Sequence, residues 1–375
     1  MRFIFILLVL LFLLRGGSTF GHPLKKWDVS QDVLYRSDWL ISPPSQKADI
    51  YQSANGKDII LYNGLVKRVF RIAPNVVCTD YKNMVNGQQL LRAVMPEALV
   101  TINGVAYHVG GLHGQTEKAY LLPQWIDRFT SDNNDFLYTG YTVDSITAFV
   151  KWRPDNWWAS NKKQPTGKEI IFSYVHEKPA MKQITVMVHY ELYDGLPLIA
   201  KWVTIKNETN EPIKIGRIKN EILAIVEEES AVVGKTEIMK KPQGIYVETN
   251  YAFNNSMRYD LSDQTTHWKT DSTYISQVNY EFNTPCMLEV YPEAGPDITL
   301  QPSETFTSVK TFELLMDSYD RERRGFAVRK MYRTIAPWTT ANPIFMHLVS
   351  RNDDEVKSAI DQCAATGYEA LILSF

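Results

Sequence analysis

Trp152, Trp157 and Trp158 stand close together, with Arg153, Asp155 and Asn156 among them. An indole face suits the C–H side of a pyranose, and a neighbouring carboxylate or amide can bond its hydroxyls. Trp125 is a further candidate for the same role. It lies in the stretch from Gly110 to Ser131, which has weak periodicity and reads as a long surface excursion. The set Trp125, Trp152, Asp155, Trp157 and Trp158 is therefore read as carbohydrate-binding, with an oligo- or polysaccharide as partner. For any one ring the plainer role is packing between sheets, since the chain holds nine Trp and twenty Tyr.

Other chemistries find less support. His108 and His113 flank Gly110-Gly111, but their spacing matches no helical zinc motif, and no metal or cofactor is expected. Asp155 beside the tryptophans and the Thr266-His267-Trp268-Lys269 stretch are the candidates for a site within the sandwich itself. Neither a Gly-x-Ser-x-Gly elbow nor a phosphate-binding glycine loop occurs. Asp317, Asp320 and Glu322 read as the cap and solvated face of a helix. A formal charge of -2 gives nucleic acid or anionic membrane no purchase. Cys78, Cys286 and Cys363 form no disulfide framework, although one Cys78–Cys286 bridge stays open; Cys363 reads as a small core residue.

The elements that would position these residues are mostly strands. The chain is organised around Ile184 to Ile205. There Ile184, Val186, Val188, Tyr190 and Leu192 alternate with more polar residues, Asp194-Gly195 turns, and Leu198 to Ile205 returns. Asn63-Gly64 and Asn103-Gly104, each between apolar runs, mark two more hairpins, and Asn86-Gly87 marks a turn. Residues 22–53 read as a leader along the first sheet. Phe136 to Val150 and 151–160 have strand or edge character, and Asn161 to Lys168 reads as an exposed turn. Strands are expected at Ile213 to Val226, Ile245 to Phe253, Tyr274 to Tyr280 and Met287 to Tyr291, with one last long strand at Glu304 to Leu315.

The period then changes. Asp320 to Met331 reads as a helix with Phe326, Ala327, Met331 and Tyr332 inward. Ile344 to Val349 and Ala370 to Phe375 read as buried-type strands. Between them lies a helix capped by Asp353 or Asp354, patterned by Val356, Ala359, Ile360 and Cys363, and stopped by Gly367. That order is β–α–β, the unit of a parallel sheet.

At the other end, Arg2 precedes twelve apolar residues from Phe3 to Leu14, a signal peptide with cleavage near Gly21. The mature chain is expected to be secreted or periplasmic, free of membrane after cleavage; an uncleaved anchor is the second reading. Asn207 and Asn254 begin glycosylation sequons, relevant only in a eukaryotic secretory pathway.

Tyr190 to Pro197, Thr311 to Leu315, and Ile360 to Cys363 through Leu371 to Leu373 resemble the front of secreted proteins related to the α-galactosidases of glycoside hydrolase clan D, family 36. The resemblance covers roughly residues 25–375, and residues 342–375 are its most specific part. It implies a mainly β chain: a signal peptide over 1–21, a large antiparallel β-supersandwich over 22–318, a linker helix and connection over 319–341, and the first β–α–β unit of an incomplete (β/α)8 barrel over 342–375. In that family the nucleophile and the acid/base are aspartates near the fourth and sixth barrel strands, about 5–5.5 Å apart. Ile344–Val349 and Ala370–Phe375 would be the first and second strands, so no catalytic residue carries over. Asp353, Asp354 and Asp361 fall on the helix, where capping and surface roles await them. The expectation is the carbohydrate-associated front portion of a secreted glycosidase, lacking autonomous hydrolysis and partnered by a missing barrel segment. A stand-alone carbohydrate-binding or structural β-sandwich is the alternative.

Overall fold

The computed structural model describes residues 23–148, 150, 163–251, 264–340 and 343–374. The chain divides into two compact units, Met1–Ile146 with Thr166–Asp320, and Thr147–Pro165 with Arg321–Phe375.

The first unit is almost entirely β. Its central hairpin is Ile184–Tyr193 and Leu198–Asn207, antiparallel with Val188 opposite Val203. The alternation works as the sequence implies: Ile184, Val186, Val188, Tyr190 and Leu192 are wholly buried. The hairpin sits in the middle of a seven-stranded sheet, flanked by Gly167–Val175 and Leu137–Ser145 on one side and Thr311–Leu315 and Ile245–Thr249 on the other.

Three further sheets surround the same core. One has five strands, including the Asp58–Tyr62 and Val66–Arg71 hairpin. A second places Ala98–Ile102 and Val105–Val109 beside Ile213–Lys219 and Ile298–Leu300. The third orders Thr266–Lys269, Met287–Val290, Glu221–Ile225 and Leu91–Ala93. Phe70, Phe172, Tyr190, Val100, Ile215, Leu223 and Leu288 belong to one apolar cluster that draws on all four sheets. Phe70 packs 5.2 Å from Phe172 and 4.8 Å from Tyr190, centroid to centroid. Such ring pairs add about 0.5–1.5 kcal/mol beyond their buried area. The leader covers the other face of the five-stranded sheet, with Trp27 edge-on to Tyr51 and Tyr62.

The Asn-Gly turns do more than reverse the chain. Asn103 and Gly104 both take positive φ, as a mirror-image two-residue turn requires. Asn63 is buried: its amide donates to the carbonyls of Tyr193 and Leu196, and its oxygen accepts from the N–H groups of Leu65 and Val66. The first hairpin is thereby tied to the turn of the central one.

Several expectations need correction. Gly167 and Lys168 belong to a nine-residue strand rather than an exposed turn. Tyr274 to Tyr280 is not a strand, because Asn279 donates to the carbonyls of Asp271 and Tyr274 and holds the segment as coil. Thr266–Lys269 supplies a strand instead. Glu304 to Leu315 is broken into Thr305–Thr307 and Thr311–Leu315, both against Leu198–Asn207. From Thr307 to Thr311 is a step of four, against three from Thr204 to Lys201, so one residue bulges out. No disulfide joins Cys78 to Cys286; both are free and buried, and Cys286 Sγ meets the Tyr274 hydroxyl at 3.1 Å.

In the second unit, the Arg321–Phe375 part opens with a helix, Arg321–Ile335. Ala327, Met331 and Ile335 form its buried stripe at i, i+4, i+8, whereas Phe326 and Tyr332 are exposed, contrary to expectation. Strands Phe345–Val349 and Ala370–Ser374 pair in parallel around the helix Asp353–Thr366. Asn352, not either aspartate, caps that helix, accepting from the N–H groups of Asp354 and Glu355. Gly367 ends it in the left-handed region. Both strands are less buried than their composition suggests, with Val349 71% exposed, and Ile360 also faces out. The architecture is thus mainly β, a multi-sheet antiparallel sandwich followed by a helix and a β–α–β unit, with no closed barrel among the described residues.

Candidate functional site

The excursion after Val105–Val109 carries Tyr120, Trp125 and His113. Gly110 and Gly111 open it with positive φ. A Cβ on Gly110 would lie 2.6 Å from the Val76 carbonyl oxygen, so no other residue fits. Gln115 holds the first arm, accepting from Val94 N–H and donating to the carbonyls of Glu117 and Tyr120. Buried Arg92 donates to the Lys118 carbonyl and pairs with Asp271 at 2.7 Å. The short helix Pro123–Ile126 then sets Ile126 onto Val77, Val94, Leu112 and Phe129.

Trp125 lies half-buried on that cluster, its ring 5.3 Å from Tyr120 and tilted by 38°. Tyr120 is 51% exposed. Asp127, two residues on, takes Lys57 at 2.9 Å and also Arg71. Hydrogen bonds from Lys57, then Arg71, hold its carboxyl below the usual range. A partly exposed aromatic pair with a carboxylate two residues away is chemistry suited to a sugar ring. Trp152, Asp155, Trp157 and Trp158 lie outside the described residues.

At the base of the excursion the structure brings together three groups that the sequence leaves scattered. His108 Nδ1 is 3.4 Å from Asp135 Oδ1, and His113 Nε2 is 2.9 Å from Asp135 Oδ2. All three ligand-type atoms lie within 4.8 Å of one another. His108 is next to last in the strand Val105–Val109, His113 is bridged to Thr130 through two backbone hydrogen bonds, and Asp135 precedes Phe136, whose N–H donates to the His108 carbonyl. The Asp135 side chain is 7% exposed, while both imidazoles are nearly half exposed. The two histidines are visible in the sequence; the closing aspartate is not, because only the return of the chain places it there.

A second polar group lies inside the sandwich. Arg68, wholly buried, donates to Glu221 and Glu313 at 2.9 Å each. Lys201 reaches Glu221 at 2.7 Å and Glu97 at 3.9 Å. Glu97 accepts from Cys78 N–H and from the Tyr190 hydroxyl. Burial pushes the Glu221 carboxyl up, but Arg68 and Lys201 outweigh it and hold it down to about 2. Burial and then the Glu221 charge drive Glu313 well above the ordinary range. Two cations therefore face three carboxyls, of which Glu221 is held low while burial raises both Glu313 and Glu97. Burial raises the neighbouring Cys78 thiol to about 12, against Arg68, so it is inert. With both partners below 2% exposure, the Glu221–Glu313 pair is beyond the reach of a sugar.

The other singled-out groups are held by structure. His267 stacks on Tyr291 at 4.0 Å and bonds its carbonyl. Asp353 and Asp354 lie exposed in a first helical turn. Asn207 is wholly buried and donates to the carbonyls of Glu211 and Leu300, so its sequon is closed to modification in the folded chain. Sequence reasoning missed His189, which stacks on Trp202 at 4.6 Å and pairs with Glu169 at 2.9 Å on the outer face of the central hairpin. Its signal was the register that sets His189 opposite Trp202.

No family model matches the chain, and no curated protein matches it. Among solved structures it is similar to the galactosidase domain of the alpha-galactosidase-sucrose kinase AgaSK, at 12% identity and a TM-score of 0.45 over 86% of this chain and 50% of that one. It is similar to the GH36 alpha-galactosidase AgaB from Geobacillus stearothermophilus, at 11% identity and a TM-score of 0.43 over 86% and 50%. The alpha-galactosidase from Lactobacillus brevis gives 10% identity and a TM-score of 0.43 over 88% and 49%. The chain spans about half the length of these structures. No helix among the described residues is long and apolar enough to cross a membrane.

Proposed function

We propose that this chain is the β-rich, carbohydrate-associated portion of an exported α-galactosidase-like glycoside hydrolase, and that it does not itself cut glycosidic bonds. The observation that carries the reading is the change of architecture near residue 320. Antiparallel sheets give way to a helix and then to a parallel β–α–β unit whose Phe345, Val349, Ile372 and Leu373 are exposed. That is the order of elements which the sequence resemblance implies, and exposed apolar strands suit docking against further barrel elements. The reacting carboxylates are assigned to such elements. Among the described residues, Glu221 and Glu313 meet on one guanidinium but are locked inside the sandwich. Incubating the purified chain with an aryl α-galactoside tests this: no release above an enzyme-free blank is expected, and release proportional to protein overturns it.

A contact with sugar through Tyr120 and Trp125 is the second element of the reading, favoured by the exposure of Tyr120, by the ring contact between the two and by Asp127, which ends the same short helix.

A further inference from the structure

We infer that His108, His113 and Asp135 form a binding site for a divalent transition ion, Zn2+ foremost, which staples the base of the excursion. Imidazole nitrogen and carboxylate oxygen are zinc's own donor types, and three protein ligands with an open fourth position make a recurrent zinc geometry. Ligands about 2.0–2.2 Å from a tetrahedral ion stand about 3.3–3.6 Å from one another. His108 Nδ1 stands 3.4 Å from Asp135 Oδ1, within that range, while His113 Nε2 is hydrogen-bonded at 2.9 Å to the other oxygen, Oδ2, and would open by about 0.4 Å to share an ion. The imidazole donors lie within 4.8 Å, and two nearly half-exposed rings have room to turn the remaining distance.

The anchor points are stiff where they need to be. Asp135 is buried, and its backbone N–H donates to Asp132. The adjoining Asn134 carbonyl meets His176 Nε2 at 3.1 Å. His176 is in turn packed edge-on against Phe136 and Tyr107. The ligands come from a strand end, an outgoing arm and a returning arm, so one ion would join three pieces of backbone. Hard cations that take only oxygen ligands have one carboxylate to hold here, so Ca2+ and Mg2+ are not expected to compete.

The test uses the full chain without a polyhistidine tag, stripped with a chelator and titrated with ZnCl2 by calorimetry, with bound metal counted by elemental analysis. About one Zn2+ per chain is expected, with a rise in melting temperature of a few degrees. Single variants His108→Ala and His113→Ala should each weaken binding about tenfold or more, and the double variant should abolish both uptake and thermal shift. Both side chains are nearly half exposed, so circular dichroism should report an unchanged fold. Co2+ in place of Zn2+ should show the strong visible bands of a tetrahedral site in the parent chain and not in the double variant. No saturable uptake by the parent, or equal uptake by the folded double variant, overturns the site. The outcome is independent of whether sugar binds at Trp125.

Discussion

Glu221 and Glu313 stand on different sheets and hold opposite nitrogens of one guanidinium, each 2.9 Å from Arg68. Their protons behave in opposite ways. Glu221 is held down to about 2 and Glu313 well above the carboxylate range. Stability from Glu221 is present above the unfolded carboxylate pKa and is lost as the pH falls towards 2. The contribution of Glu313 is complete below the unfolded pKa and is lost as the pH rises through its folded value. Glu221→Gln should therefore cost about 3–5 kcal/mol at neutral pH, because it leaves buried cations under-paired. Glu313→Gln should fall within about 1 kcal/mol of the parent and gain on it as the pH rises from about 5 to 8. Urea unfolding across that range reads both; equal costs at neutral pH would mean that both carboxyls are ionised.

Asn63 fixes the first hairpin to the turn of the second through four hydrogen bonds. Asn63→Ala strands two buried carbonyls and two N–H groups. A loss of about 2–4 kcal/mol in chemical unfolding is expected, and a loss under about 1 kcal/mol would show that other groups take up those bonds.

Gly110 has no room for a side chain and sits at φ 65°. Gly110→Ala should destabilise the chain by about 1–3 kcal/mol. Because the strain falls at the start of the excursion, limited proteolysis should cut the variant first between residues 110 and 135. Cleavage elsewhere at parental rates would separate Gly110 from the order of that loop.

Much of this architecture is legible in the sequence, for reasons that particular residues make plain. Ile184 to Leu192 buries alternate side chains against a single core, and such a pattern has one strand register. Asn103-Gly104 encodes its turn in two residues. The Thr305–Leu315 segment is different: a bulge is set by its partner strand and leaves little trace in composition. Tyr274 to Tyr280 shows β-type residues overruled by one buried asparagine, Asn279. The His108–His113–Asp135 group was half visible, since a 22-residue separation between His113 and Asp135 is closed only by the tertiary path. The charged interior was hidden for the same reason: Arg68, Lys201, Glu221 and Glu313 arrive on four different strands.

The three cysteines offer a check on the interior that needs no mutation. Cys78, Cys286 and Cys363 are free and buried, and burial raises the thiol pKa of the first two. A thiol reagent should label none in the native chain at neutral pH and all three in denaturant, with no change on prior reduction. Labelling of only Cys363 in denaturant before reduction would reveal a Cys78–Cys286 bridge.

The most direct test of the account is calorimetric titration of the chain with galactose-containing oligosaccharides, alongside a Trp125→Ala variant. Saturable heat in the parent, accompanied by a change in tryptophan fluorescence and weakened about tenfold or more in the variant, is the predicted result. Absence of heat and of any fluorescence change at millimolar sugar would contradict a carbohydrate-associated role for this chain.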